Sequence, residues 1–154
     1  MFLKIIAAGL AALSFSILFS TPRKEYLFCG LTGSIGWFCY LMTYELLSSV
    51  VLATFGGTIV VTFVSRFFAV NRRVPVTVFL IAGIFPLVPG TGIYFTTYYI
   101  FIDQLSLAGD YGRESMGIAL AIAFGIMIIF LIPQKWFHYK SKNRKFDNLI
   151  KKWY

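Results

Sequence analysis

The chain has 154 residues, of which 58% are hydrophobic, 19% aromatic and only 13% charged. These proportions exclude an ordinary soluble domain, and the charged residues cluster between long apolar runs, which indicates a polytopic membrane protein. The formal net charge of +8 gives no reason to expect a nucleic-acid partner, because basic loops on the cytoplasmic side of a membrane explain it.

Apolar segments between the charged positions predict the membrane spans. Each span needs about 20 apolar residues to cross about 30 Å of hydrocarbon. The sequence therefore predicts an all-α fold, in which residues 1–134 form a five-helix transmembrane domain with spans at Phe2–Ser20, Leu27–Leu46, Val50–Phe68, Val76–Ile102 and Ser115–Pro133. An odd number of spans places the two termini on opposite sides of the membrane.

The distribution of lysine and arginine predicts the orientation. Basic residues occupy the first loop, the third loop and the tail after Pro133, whereas the second loop has none and the fourth is acidic on balance. We therefore expect the N-terminus outside and the C-terminus in the cytoplasm. Lys4 is a basic residue on the opposite side, against the general distribution. A cleaved signal peptide is the alternative for the first segment, but no small-x-small cleavage site precedes Pro22.

Small residues recur on several spans at spacings that place them on one helical face. Such stripes let helices approach closely in lipid, and they are Ala8, Ala12 and Ser16; Gly30, Gly33 and Gly36; Thr54, Thr58 and Thr62 with Gly56 and Gly57; and Gly117, Ala121 and Gly125. Close packing is one interpretation of the threonine stripe. A polar path continued by Ser65 is the other, although threonine can also bond its own helix backbone.

The fourth span contains helix breakers in the middle of an apolar segment. The sequence predicts a helix broken at Pro86–Gly92, with half-helices at Val76–Phe85 and Thr91–Ile102. Pro86 and Pro89 lack a backbone donor, and Gly90 and Gly92 permit conformations that other residues avoid. Irregular backbone at this depth is tolerated where protein buries it or where it lines a cavity.

The chain direction at this break predicts two poles of opposite sign. The inner half-helix offers the free carbonyls of about Ile81 to Phe85, and the outer one offers the free N–H groups of about Thr91 to Tyr94. Together they suit an amino-acid zwitterion. The candidate substrate-binding residues are Phe85, Pro86, Pro89, Gly90, Thr91, Gly92, Tyr94 and Tyr98. Two alternatives are open. One is a proline kink whose freed backbone groups bond to neighbouring helices and water, and the other is a re-entrant hairpin.

The remaining polar residues and the cysteines give weaker indications of function. Glu45 and Asp103 end the second and fourth spans, and Asp103 is the better candidate for proton coupling because it shares a span with the break. Cys29 and Cys39 are about 15 Å apart on one helix, too far for a disulfide. His138 lies among interfacial aromatic residues, so we predict no metal site and no cofactor. The sequence also shows no Ser/His/Asp set, no paired intramembrane carboxylates and no glycine-rich phosphate loop, which disfavours an enzyme.

Residues 135–154 form a basic tail. Phe146, Leu149, Ile150 and Trp153 lie at i, i+3, i+4 and i+7, which suits a short amphipathic helix on anionic lipid. A solvated, partly disordered tail fits the same residues equally well.

Two stretches carry a family resemblance. SFSILFSTPRKEYLFCGLTGSIGWFCYLM (Ser14–Met42) resembles the opening of the small five-helix subunit of the threonine/serine exporter family, and RRVPVTVFLIAGIFPLVPGTGIY (Arg72–Tyr94) resembles its central signature. The chain departs from that signature at Ala82, where a proline is frequent, and at Phe95, where a basic residue often follows the tyrosine.

The resemblance implies a subunit of a secondary transporter in the plasma membrane of a bacterium. It implies export of small amino acids such as threonine or serine, or of small carboxylates, driven by an ion gradient. It also implies a larger partner subunit with another five-helix half, which would form an inverted repeat with this chain. A non-transporting membrane scaffold or assembly subunit is the alternative function.

Overall fold

Six α-helices and two short 3₁₀ turns make up residues 2–133 of the computed structural model, which are the residues that the structure describes. The helices are α1 (Phe2–Leu18), α2 (Tyr26–Leu47), α3 (Val50–Arg72), α4 (Val76–Ile84), α5 (Gly90–Phe101) and α6 (Leu105–Leu131), and the 3₁₀ turns are Arg23–Glu25 and Phe85–Leu87. Residues 2–133 contain no strand, so this part of the chain is all-helical. The predictions for the tail and for His138 lie outside the described residues.

Length and apolar composition single out candidate membrane spans among these helices. Within residues 2–133, α3 with 23 residues and α6 with 27 residues are each long and apolar enough to cross a membrane. The segments Val76–Leu87 and Gly90–Phe101 qualify together as a third span that is bent by 50°. The structure thus shows an apolar helical protein with two to three candidate spans.

The helix ends follow local signals in the sequence. Ser49 begins α3 by accepting a hydrogen bond from the Leu52 N–H through its side chain, and Pro75 directly precedes α4. Ser48 and Arg73 end α2 and α3 in the left-handed conformation, at φ 49° and 58°. These short connections keep α2, α3 and α4 next to one another.

The interior is built from small residues, as their spacing predicts. Gly33 of α2 faces Ala12 of α1, and Gly36 faces Val61 of α3, with no room for a Cβ atom at either glycine. On the other side of α3, Thr58 lies against Gly125 of α6, where an added Cβ atom would stand 2.9 Å from the threonine methyl. Close backbone approach therefore holds α1, α2, α3 and α6 together.

One predicted boundary is wrong. The sequence predicts that the fifth span begins at Ser115, whereas α6 begins ten residues earlier at Leu105. The charged residues of the expected fourth loop (Asp110, Arg113 and Glu114) therefore lie on a helix. The helix continues through Gly109 and Gly112 although glycine has a low helix propensity, and no proline interrupts it.

Two arginines of α3 form hydrogen bonds with neighbouring elements. The Arg66 side chain is 5% exposed, and its Nη1 donates to the carbonyls of Ile129 and Ile132 at the end of α6. A cation there complements the free carbonyls of a helix C-terminus. Arg72 donates through Nε and Nη2 to the carboxylate of the buried Glu25 and lies 4.7 Å from the centre of the Phe28 ring.

Candidate functional site

The helix break lies close to its predicted position and has a different backbone geometry. After α4 ends at Ile84, the 3₁₀ turn Phe85–Leu87 is followed by an extended Val88 at φ −66° and ψ 134° and by Pro89 at φ −78° and ψ 55°. No described glycine has a positive φ. The expectation that Gly90 and Gly92 supply unusual conformations is therefore wrong, because the two prolines and Val88 make the turn.

The first turn of α5 presents free backbone donors. The Gly90 N–H bonds to the Val88 carbonyl at 2.8 Å, and the Ile93 N–H bonds to the Pro89 carbonyl at 3.1 Å. Within residues 2–133, no backbone carbonyl accepts from the N–H groups of Thr91 and Gly92. These two groups form the positive pole that the sequence predicts for the outer half-helix.

Close contact with α6 fixes the position of α5. A Cβ atom at Gly92 would overlap the hydroxyl oxygen of Ser115, and a Cβ atom at Gly112 would stand 3.3 Å from the Thr96 methyl. The Ser115 hydroxyl itself donates to the Tyr111 carbonyl at 2.8 Å. The start of α5 is thus held against the middle of α6 by contacts that only small residues allow.

A cavity of about 560 Å³ lies on one side of this contact. Its walls are mostly apolar, with the hydroxyls of a few residues as polar groups, and they comprise Val88, Pro89, Ile93, Thr96, Thr97, Gly112, Ser115, Met116, Ala119 and Ile122. This volume lies in the range of small-molecule sites in proteins.

A second cavity of about 190 Å³ adjoins the same contact. It is lined by the first turn of α5 and by the facing turns of α6, together with Val50, and its members are Val50, Pro89, Thr91, Gly92, Phe95, Tyr111, Glu114, Ser115 and Ile118. Glu114 is the only charged residue among them. Pro89 and Ser115 line both cavities, so the two spaces adjoin the same short stretch of backbone.

The predicted site residues divide into those near these cavities and those elsewhere. Pro89, Thr91 and Gly92 line them. Gly90 faces open space, with nothing within 4 Å of an added Cβ atom. Phe85 points to α1 instead and stacks on Phe15 with ring centres 3.8 Å apart.

Pro86 borders a third cavity of about 290 Å³ that Lys4 and Trp37 also line. The indole Nε1 of Trp37 is buried and has no hydrogen-bond partner in the structure. This mostly apolar cavity adjoins the break from the side of α1.

The two tyrosines of the predicted site lie outside these cavities. Tyr94 and Tyr98 stack on each other with ring centres 6.3 Å apart and are 63% and 45% exposed. No residue of α5 is buried, so one face of this helix has no contact with the rest of the described chain.

Asp103 follows the end of α5. It lies in an exposed left-handed turn at φ 59°, and its backbone N–H donates to the Ile100 carbonyl. The structure separates it from all of the cavities described above. Its proposed coupling role stays a prediction.

Comparison with known proteins identifies the family of the chain. A family model described as Threonine/Serine exporter, ThrE, matches residues 4–132. The chain belongs to the threonine/serine exporter family. A curated threonine/serine exporter of Corynebacterium glutamicum is 28% identical over 127 residues, which is 82% of this chain and 26% of that protein. No solved structure matches the chain.

The threonine/serine exporter family is a family of transporters, and membership supports a transporter-type role in a membrane. The chain spans about a quarter of the length of the curated relative it matches. The family match confirms the resemblance of Ser14–Met42 and Arg72–Tyr94 to this family.

The polar residues that sequence reasoning missed come from α6. The sequence predicts a loop at Glu114 and the first residue of a span at Ser115, whereas both lie within α6. Their signal was present in the spacing of Tyr111, Ser115 and Ile118, which places these three residues on one face of a helix. This common face follows from the sequence only if the predicted helix extends toward Leu105.

The threonine stripe of α3 lies in the packed interior. Thr54, Thr58 and Thr62 are at most 1% exposed, and the hydroxyls of Thr54 and Thr62 donate to backbone carbonyls four residues earlier. The hydroxyls of Thr58 and Ser65 are buried without a partner in the structure. Of the two interpretations of this stripe, its burial favours helix packing.

Within the described residues, no cluster of three or more histidine, cysteine, aspartate or glutamate side chains suits a metal ion. Cys29 and Cys39 are both free.

Proposed function

We propose that this chain is the membrane-embedded half of an exporter of small amino acids, with threonine and serine as substrates. The observation that carries this proposal is the break between α4 and α5, where free N–H groups of Thr91 and Gly92 adjoin cavities. Discontinuous helices with exposed ends are a recurrent means by which secondary transporters bind charged solutes. A substrate carboxylate suits the N-terminal end of α5.

The proposed topology has five spans, with α4 and α5 counted as one. Helices α1 and α2 have 17 and 22 residues, which correspond to lengths of about 26 Å and 33 Å along their axes. Helix α2 is longer than the roughly 30 Å hydrocarbon core of a bilayer, and α1 has the smallest number of residues with which a helix spans it. The N-terminus lies outside and the C-terminus in the cytoplasm, in agreement with the basic residues near α1–α2 and α3–α4.

The proposed exporter includes a larger subunit. The C. glutamicum relative is nearly four times as long as the segment that matches this chain, since that segment covers 26% of it. Helix α5 has no buried residue and makes its main contact with α6. A second five-helix half of opposite orientation, packed beside α5, would complete an inverted repeat around the break.

Several finer features belong to the same proposal. Asp103 carries the coupling proton. Small carboxylates such as succinate are alternative substrates. The basic tail binds anionic lipid of the bacterial plasma membrane. Phe95 forms part of the smaller cavity, at the position where the family resemblance leads one to expect a basic residue. The lack of a cation there favours a zwitterion over a doubly charged carboxylate.

Transport in inside-out membrane vesicles tests this function, because uptake into such vesicles corresponds to export from the cell. Vesicles with this chain alone, with the chain and its candidate partner, and with neither are offered labelled threonine, serine and succinate. We expect uptake of threonine and serine above background only when both subunits are present. Absence of uptake for all three solutes would support the alternative of a scaffold or assembly subunit.

A further inference from the structure

A fourth cavity, of about 250 Å³, lies between the end of α1 and the start of α4. Its lining residues are Phe19, Ser20, Thr21, Pro22, Thr77, Val78 and Ile81. We propose that this cavity binds the phosphate group of a phospholipid from the cytoplasmic leaflet of the membrane. The inference uses the orientation proposed above and is independent of the transported substrate.

Thr21 gives the most direct indication of a ligand. It is 8% exposed and lines the cavity, and its hydroxyl forms no hydrogen bond with any residue in the range 2–133. A buried hydroxyl without a partner costs free energy, so a partner is expected in the cavity. Ser20 and Thr77 contribute two more hydroxyls that form no hydrogen bond within the described residues. Three such groups suit a ligand with several oxygen atoms.

The first turn of α4 adds backbone donors to these hydroxyls. The Val78 N–H bonds to the Pro75 carbonyl at 3.2 Å, whereas no backbone carbonyl of residues 2–133 accepts from the N–H groups of Val76 and Thr77. Free N–H groups and the helix dipole make such a terminus favourable for phosphate. Because Thr77 lines the cavity, this positive end of α4 adjoins the unpaired hydroxyl of Thr21.

The end of α1 does not cancel this positive pole. Ser20 ends the helix in the left-handed conformation at φ 53°. The N–H groups of Ser20 and Thr21 bond to the carbonyls of Ile17 and Ser16, each at 3.0 Å. These bonds cap the last carbonyls of α1, so the donors of α4 dominate the field at the cavity.

The charged residues of the adjoining loop also favour an anion. Arg23 and Lys24 directly follow Pro22 and are exposed. The acid of this loop, Glu25, is neutralised by Arg72 at 2.9 Å. The loop beside the cavity therefore carries a net positive charge, which attracts the anionic lipids of a cytoplasmic leaflet.

The apolar walls of the cavity favour a lipid over a soluble anion. Phe19 and Ile81 line it and are 47% and 45% exposed, so in a membrane their outer surfaces meet acyl chains. A phospholipid contacts these walls and the hydroxyls together, whereas a free phosphate leaves the walls without a partner. The volume lies below that of most small-molecule sites, at about 300 Å³ or more, and suits a headgroup phosphate alone.

A cysteine in the cavity reports directly on its occupant. The full chain with Ile81→Cys is labelled in detergent with a maleimide, and the wild type gives the background from Cys29 and Cys39. We expect phosphatidylglycerol to slow this labelling. Diacylglycerol with the same acyl chains and inorganic phosphate should each have little effect. Equal protection by diacylglycerol would rule out phosphate binding, and equal protection by inorganic phosphate would rule out a lipid as the source.

Thr21→Val removes the hydroxyl at little change in shape. It should raise the phosphatidylglycerol concentration for half-protection of Ile81→Cys roughly tenfold, as expected for loss of a hydrogen bond to a charged group. Thr43→Val is the matched control, because Thr43 lies near the other end of α2 and lines none of the cavities described above. It should leave protection unchanged.

If Thr21→Val does not fold, Thr77→Val at an exposed position supplies the same measurement. Unchanged protection in the folded variants would overturn the proposal.

A second reporter controls for general effects of lipid on labelling. Leu10 of α1 is 60% exposed and lines none of the described cavities. Leu10→Cys should be labelled at the same rate in phosphatidylglycerol and in diacylglycerol. If phosphatidylglycerol slowed both reporters equally, the site between α1 and α4 would be rejected. Labelling requires no transport, so absence of amino-acid export would overturn the proposed function and leave this site unaffected.

Discussion

The backbone of Gly92 in α5 lies directly against the Ser115 side chain of α6, and a Cβ atom at Gly92 would overlap the Ser115 hydroxyl oxygen. This contact joins the broken helix to the helix that carries Glu114. Ser115 lines both cavities at the break, as does Pro89. The proposed function therefore depends on a close approach between two helices.

Substitution of Gly92 tests the importance of this approach. We expect Gly92→Ala to destabilise the protein by about 1–3 kcal/mol, as overpacking of an interior does, and to lower transport strongly because the start of α5 must move. Thermal unfolding in detergent and threonine uptake in vesicles measure the two effects. Ser115→Gly in the same chain should restore part of both.

Gly90→Ala is the matched control for this substitution. Gly90 is two residues away, has nothing within 4 Å of an added Cβ atom and has no positive φ. The control should change stability by less than about 1 kcal/mol. Equal damage from both substitutions would show that the contact with Ser115 is not the cause.

Thr58 distinguishes the two interpretations of the threonine stripe. Its hydroxyl is buried without a partner, and its methyl packs against Gly125. Thr58→Val should leave transport unchanged and should stabilise the protein by up to about 1 kcal/mol, because it removes an unsatisfied polar group at little change in shape. A large loss of transport at full stability would instead indicate a polar path along α3.

Arg66 tests how α6 is anchored at its C-terminal end. Its guanidinium donates to the carbonyls of Ile129 and Ile132 and lies 5.5 Å from the centre of the Phe130 ring. Arg66→Met should cost about 2–4 kcal/mol in unfolding free energy, because buried carbonyls lose their donors. Arg66→Lys keeps one donor group and should cost less. Equal losses would mean that a positive charge without the geometry of the guanidinium contributes little.

Asp103 remains the candidate for proton coupling, and Asn is the appropriate replacement. Asparagine tolerates the left-handed conformation that Asp103 adopts at φ 59°, so Asp103→Asn should fold normally. If Asp103 carries the proton, this variant should transport threonine down its gradient without a response to an imposed proton gradient. Proton-driven uptake equal to that of the wild type would reject this assignment.

The sequence by itself determined the helical class, the apolar segments and the break. Runs of apolar residues must be helical in lipid because every backbone group needs an internal partner, and Pro86 and Pro89 cannot continue such a helix. The half-helices at Val76–Ile84 and Gly90–Phe101 consequently agree with prediction to within about one residue. The close helix contacts at Gly30, Gly33 and Gly36 could likewise be predicted, since small residues on one face mark close helix contacts.

Only the tertiary structure decided which residues gather at the break. The predicted site was continuous in sequence, yet Phe85 faces α1, Tyr94 and Tyr98 face outward, and Glu114 and Ser115 come from a different helix. Sequence spacing describes the faces of one helix but does not say which helices meet. That choice depends on where small residues such as Gly92 and Gly112 let two backbones approach, because close packing rather than hydrophobicity drives helix association in lipid.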